Sequence, residues 1–171
     1  MKSLARVLFV VYLVILVWLI LFKFSVDIVS VLHYDKRSLN LVPFSNSSGS
    51  SSEAIDNVLV FIPFGLLLSV NLKRLNFWSK LLVVLGASIT AETIQYIFAI
   101  GATDITDVIT NTLGGLIGLI GYDICSKYFD QESLDKFIAI AGLILLGLCV
   151  LLLVILEVRH GVRYHRHGQP D

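Results

Sequence analysis

Residues 4–22 read LARVLFVVYLVILVWLILF, with Arg6 as the sole charge and no charge beyond the first turn. A run of this kind is the signature of a helix that crosses a bilayer, which takes about 20 apolar residues. Lys2 and Arg6 resemble the basic start of a secretory signal, but the apolar stretch is long for one and no small-x-small cleavage pattern follows Lys23. The reading is an uncleaved anchor helix.

Four further apolar runs follow, at about 55–72, 79–100, 105–125 and 137–156. The expected fold is an all-α integral membrane bundle of about five transmembrane helices. Composition agrees: of 171 residues 56% are hydrophobic and 15% charged, and the mean hydropathy is +0.85, far above a soluble domain. Thirteen basic and thirteen acidic residues cancel, and no basic run with interleaved aromatics occurs, so nucleic acid is excluded as a partner. Cys125 and Cys149 show no CxxC spacing, and His160, His165 and His167 lack an i, i+4 pair, so neither a metal site nor a cofactor is expected. Between Lys23 and Ala54 the chain reads as a loop, with a Ser/Gly-rich flexible linker at 45–52.

The middle three spans are the polar ones. Asp56 and Asn57 open the second, Glu92 and Gln95 lie inside the third, and Asp104, Asp107 and Asn111 mark the start of the fourth. Parity of crossings puts these positions, and the long first loop, on one side of the membrane. At a rise of about 1.5 Å per residue, Glu92 lies about 12 Å from the end of its span and Asn111 about 10 Å from the start of its own. Asp104, Asp107 and Asn111 are spaced to stack along one stripe, and Glu92 and Gln95 along another. The expectation is one polar pocket where the three helices meet. A buried ionisable group costs at least about 2.5–3.5 kcal/mol on insertion scales and takes a partner. For Glu92 the candidates are Gln95, Asn57 and Asn111, or His33, Lys36 and Arg37 from the loop; the remaining alternative is a protonated Glu92. Interhelical hydrogen bonding without chemistry is the competing reading of the same residues.

Lys and Arg favour the cytoplasmic side. With the N-terminus inside, Lys2, Arg6, Lys73, Arg74, Lys80, Lys127 and Lys136 face in, against Lys23, Lys36 and Arg37 outside over the first four spans. The polar pocket then faces outward. The tail, with Arg159, Arg163 and Arg166, is either extracytoplasmic after five crossings or follows a helix that does not cross fully. Gly114 and Gly118 form a GxxxG pair for close helix packing, and Pro63 with Gly65 is expected to bend the second span.

The segments Asn40-Leu41-Val42-Pro43-Phe44, Asn57-Val58-Leu59-Val60-Phe61-Ile62-Pro63-Phe64-Gly65, Glu92-x-x-Gln95 and Asp104-x-x-Asp107-Val108-Ile109-x-Asn111-Thr112-Leu113-Gly114-Gly115, in this order and spacing, resemble the VanZ-like family of membrane proteins. The resemblance covers about 38–125. It departs from the family in having Gly101, Ala102 and Thr103 where an Arg usually precedes the Asp pair, and in a fifth span beyond the usual four. The chain is then expected to divide into a VanZ-like domain over 1–136, an additional transmembrane helix at 137–157 and a polar tail at 158–171. The resemblance implies a multi-pass protein of the bacterial cytoplasmic membrane, associated with resistance to the glycopeptide teicoplanin, and no established catalytic mechanism. The expected binding residues are Arg37, Asn40, Asn57, Glu92, Gln95, Asp104, Asp107 and Asn111. Expected partners are membrane lipids, with a lipid-linked cell-wall precursor, a glycopeptide or a second copy of the chain as further candidates. A metal-dependent enzyme acting on a lipid phosphate, with Glu92, Asp104 and Asp107 as ligands, and a small proton-linked transporter are the alternatives.

Overall fold

The computed structural model describes residues 2–21, 38–45, 51–100 and 102–147. Helix α1 is Lys2–Leu21, strand β1 Ser38–Asn40, helix α2 Ser51–Asn71, helix α3 Phe77–Phe98, strand β2 Ala102–Asp104, helix α4 Ile105–Tyr128, and helix α5 covers 131–147. Helices α2, α3 and α4 are each long and apolar enough to cross a membrane, while the apolar part of α1, Ala5–Leu21, is shorter.

The architecture is predominantly helical, as expected, with one departure from all-α. Strands β1 and β2 pair in parallel, Ser38 with Ala102, Leu39 with Thr103 and Asn40 with Asp104. Three-residue strands carry no readable alternation, which is why the sequence reads as loop on one side and as helix start on the other. A second correction falls on the Ser/Gly tract: its last residues are helical, since α2 begins at Ser51. Ser51, Ser52 and Glu53 are residues that a helix N-terminus favours, because their oxygens suit its unpaired amides and its positive dipole end.

Helices α2 and α4 form the central pair. A methyl group on Gly65 would lie 2.2 Å from Gly115 O, one on Gly118 2.2 Å from Ile62 O, and one on Gly114 2.3 Å from Val58 O. Backbone therefore packs on backbone, as small residues permit. Gly115 also receives Val84 of α3, whose Cγ1 would sit 2.3 Å from an added Cβ. One apolar core joins Leu16 of α1, Phe61, Phe64 and Leu68 of α2, Val84 of α3 and Leu119 of α4. A second, nearer the other end, joins Ala5 and Leu8 with Leu67, Val70, Tyr122, Leu134 and Ile138.

Outside these contacts the helices present apolar side chains. Leu113, Ile117, Ile120 and Ile124 run along the outer face of α4, and Leu82, Ile89 and Ile97 along that of α3. Apolar exposure on this scale is what lipid accommodates and water does not. Helix α2 continues through Pro63, whose absent amide leaves Leu59 O without its usual donor. In the same turn the Tyr12 hydroxyl of α1 donates to Val60 O.

At one end the connections are polar. The Lys73 ammonium pairs with Asp135 of α5, Tyr122 Oη donates to the same carboxylate at 2.9 Å, and Lys80 Nζ lies 5.9 Å from the Tyr122 ring centroid. Asp130 starts α5 by accepting from the amides of Glu132 and Ser133 at 2.9 and 3.1 Å. The candidate site occupies the opposite end.

Candidate functional site

Two chain reversals carry polar residues to that end. Helix α3 stops where Ala99 takes a left-handed conformation (φ 53°, ψ 40°) and donates its N–H to Gln95 O. The chain returns through β2, and α4 starts at Asp104, an N-cap in extended conformation whose Oδ1 accepts from Thr106 N at 2.7 Å. Glu92 spans this reversal: its Oε2 accepts from Asp104 N at 3.0 Å, and its backbone carbonyl accepts from Thr103 Oγ1 at 3.3 Å. A carboxylate on α3 thus closes the turn that positions α4. Spacing within helices gives no view of this backbone partner, and the sequence reading did not include it.

Asn40 ties β1 to the same corner. Its Nδ2 donates to Asp104 Oδ2 at 2.9 Å and to Ser45 Oγ at 2.8 Å, while its Oδ1 accepts from Val42 N at 3.1 Å. The loop after β1 then turns at Phe44, which holds a left-handed conformation (φ 54°) and donates its N–H to Thr106 Oγ1 at 3.0 Å. A bulky side chain at positive φ is strained, and this hydrogen bond with the Asn40 brace holds it in place. Leu39, Leu41, Val42 and Phe44 are all exposed on this loop.

Inside the corner, Asn57 Nδ2 of α2 donates to Asp107 Oδ1 of α4 at 2.9 Å. Asn111, one turn deeper, donates from Nδ2 to Ser88 Oγ of α3 at 3.0 Å. Gln95 Nε2 donates to Ile20 O, near the end of α1, at 2.9 Å. Glu53, Asn57, Glu92, Gln95, Asp107 and Asn111 line one pocket, closed on its apolar side by Leu19 and Ile20 and occupying about 250 Å³ with its open mouth included. Glu92, Gln95, Asp107 and Asn111 are buried, Gln95 completely.

Of the expected site residues, five come together here: Asn57, Glu92, Gln95, Asp107 and Asn111. Asp104 and Asn40 do not line the pocket; they bond to each other and build the corner beside it. Asp104 belongs to the cap and not to a helical stripe with Asp107 and Asn111, because an N-cap side chain folds back over its own first turn. Gln95 is not the partner of Glu92 but reaches α1. Arg37, His33 and Lys36 lie outside the described residues, as do Cys149 and the tail. Among the described residues no three His, Cys, Asp or Glu side chains are grouped to hold a metal ion.

Glu53, Ser88 and Thr106 escaped the sequence reading. Ser88 had a signal, since Ser88, Glu92 and Gln95 follow the i, i+4, i+7 spacing of one helical face.

Comparisons with known proteins agree with the motif order. The VanZ/LLP1 family profile matches residues 9–126, which extends the motif-bearing region back into α1. Protein VanZ of Enterococcus faecium is 55% identical over 153 residues, covering 90% of this chain and 92% of that protein. No solved structure matches the chain. A family profile over more than half of the chain and a relative of this identity over nearly all of it, on top of the four ordered motifs, lead to one assignment: the chain belongs to the VanZ/LLP1 family.

Proposed function

We propose that this VanZ/LLP1 family member is a five-span protein of the bacterial cytoplasmic membrane whose polar pocket faces outward and binds a headgroup-bearing or lipid-linked envelope molecule. By holding that molecule it alters what glycopeptides such as teicoplanin meet at the cell surface. The observation that carries the reading is the convergence of α1, α2, α3 and α4 on one pocket of amides and carboxylates at one end of the bundle. Ionisable groups inside spans are costly and mark ligand or ion paths more often than they serve as glue.

The positive-inside balance supports the outward direction of that end, because Lys73, Arg74, Lys80 and Lys127 gather at the other. The exposed Leu41, Val42 and Phe44 beside the pocket fit the lipid–water boundary. The metal-dependent reading loses support from the geometry: Asp104 is engaged as an N-cap and as acceptor of Asn40.

The test is teicoplanin susceptibility of cells expressing Asp107→Ala and Glu92→Ala, compared with wild type at matched protein abundance in the membrane. Loss of resistance at unchanged abundance is the expected result. Unchanged resistance at unchanged abundance rejects a role for the pocket.

A further inference from the structure

Each of the amides around the pocket gives an N–H to the protein itself. Gln95, fully buried, gives its Nε2 to the Ile20 carbonyl. A carbonyl only accepts, so this bond fixes which end of the amide is nitrogen. Gln95 Oε1 is left buried and without a hydrogen bond. Asn111, 1% exposed, gives Nδ2 to Ser88, and its Oδ1 is likewise left without one. Asn57 gives its Nδ2 to Asp107. Carboxylates of Glu53, Glu92 and Asp107 line the same space, and among the described residues no Lys or Arg does.

A buried acceptor that has given up water and found no donor is costly, and two of them share one small pocket. The pocket has room for about one water-sized group. We propose that the pocket takes the primary ammonium group of an envelope molecule, with Gln95 Oε1 and Asn111 Oδ1 as neutral acceptors and the carboxylates selecting positive charge. An ammonium carries three N–H donors and no acceptor, and is about the size of a water molecule. A phosphate brings negative charge to a space already lined by three carboxylates, and no donor for the two bare carbonyl oxygens. A trimethylammonium has the charge but no N–H and a larger head. The proposal rests on the reading of the pocket as a headgroup site, and narrows it to the amine end of the guest.

The experiment uses the full chain in phosphatidylcholine nanodiscs. Phosphatidylethanolamine and phosphatidylglycerol are tested as lipid probes and n-hexylammonium as a soluble one, each by competition for the protein and by shift of the thermal unfolding midpoint. Phosphatidylethanolamine is expected to bind roughly tenfold or more tighter than phosphatidylcholine, since a site built for N–H donors rejects the analogue that lacks them. Binding of n-hexylammonium as well marks a site open to amines from any source, and binding of phosphatidylethanolamine alone marks a lipid site. Asn111→Asp keeps the side-chain shape and adds a carboxylate, and is expected to raise the preference for the ammonium probes. Equal binding of phosphatidylethanolamine and phosphatidylcholine, a preference for phosphatidylglycerol, or no gain in Asn111→Asp overturns the ammonium assignment and leaves the headgroup reading standing. No effect of any probe overturns both.

Discussion

Asn57 on α2 and Asp107 on α4, 50 positions apart in sequence, meet through a 2.9 Å hydrogen bond from Nδ2 to Oδ1 at the mouth of the polar pocket. Both belong to helices whose backbones are already in contact through glycine. The bond therefore sets the rotation of one helix against the other more than it holds them together. Its energetic share is open to a double-mutant cycle. Asn57→Ala, Asp107→Ala and the double variant, unfolded thermally in one detergent, are expected to show a coupling of about 0.6–2 kcal/mol, the range of interhelical hydrogen bonds in membranes. A coupling of zero means the two groups are satisfied separately.

The glycine contacts make a sharper expectation. Gly118→Ala places a methyl 2.2 Å from Ile62 O, and Gly65→Ala does the same toward Gly115 O. Backbone cannot move aside as a side chain can, so each substitution is expected to cost about 1–3 kcal/mol or to prevent folding. Gly86 and Gly121 have nothing within 4 Å of an added Cβ and serve as controls. Alanine there is expected to be neutral or slightly stabilising, through its better helix propensity. If all four behave alike, the close approach of α2 and α4 is wrong.

Asp104 holds two elements at once, the first turn of α4 through Thr106 N and strand β1 through Asn40. Asp104→Ala removes both and is expected to cost about 0.5–2 kcal/mol for the cap alone. Asp104→Asn keeps a capping oxygen and should retain most of that. Unfolding midpoints of the two variants, measured side by side, separate the cap from a charge effect.

Acid should loosen α5 at its start. Asp130 is fully exposed, and the Ser133 hydroxyl bonded to it, together with the amides of Ser133 and Glu132, holds its carboxyl below the usual 3.8. Because the folded-state value is the lower one, the cap's contribution is complete above 3.8 and fades as pH falls through that lowered value. The unfolding midpoint of wild type is thus expected above that of Asp130→Ala near pH 7. The gap should close in strong acid. A gap that persists unchanged there would show that the carboxylate's charge is not what caps the helix.

The three helices that carry the pocket's polar residues are plain in the sequence, as are those residues, because an apolar run interrupted by Asn57, Glu92, Gln95, Asp107 or Asn111 is conspicuous. Which of these groups pair was not legible. Glu92 finds a backbone amide across a turn and Gln95 a carbonyl on α1, and main-chain partners leave no trace in residue type. The parallel pair of β1 and β2 was hidden for a related reason: strands of three residues are too short to show a period. Asn40, expected among the binding residues, instead bonds to Asp104 across the paired strands, a contact that needs the strand pairing to be seen.

The glycine-lined contact of α2 and α4 has a mechanical corollary. Two helices interlocked main chain to main chain neither slide nor part without losing the whole seam, so they behave as one stiff beam. Helix α1 joins that frame through side chains, by the hydrogen bonds from Tyr12 to Val60 O and from Gln95 to Ile20 O and by apolar contact. Side-chain contacts of this kind give way more readily than a backbone seam, so α1 is the compliant wall of the cavity and the paired glycine helices its rigid one.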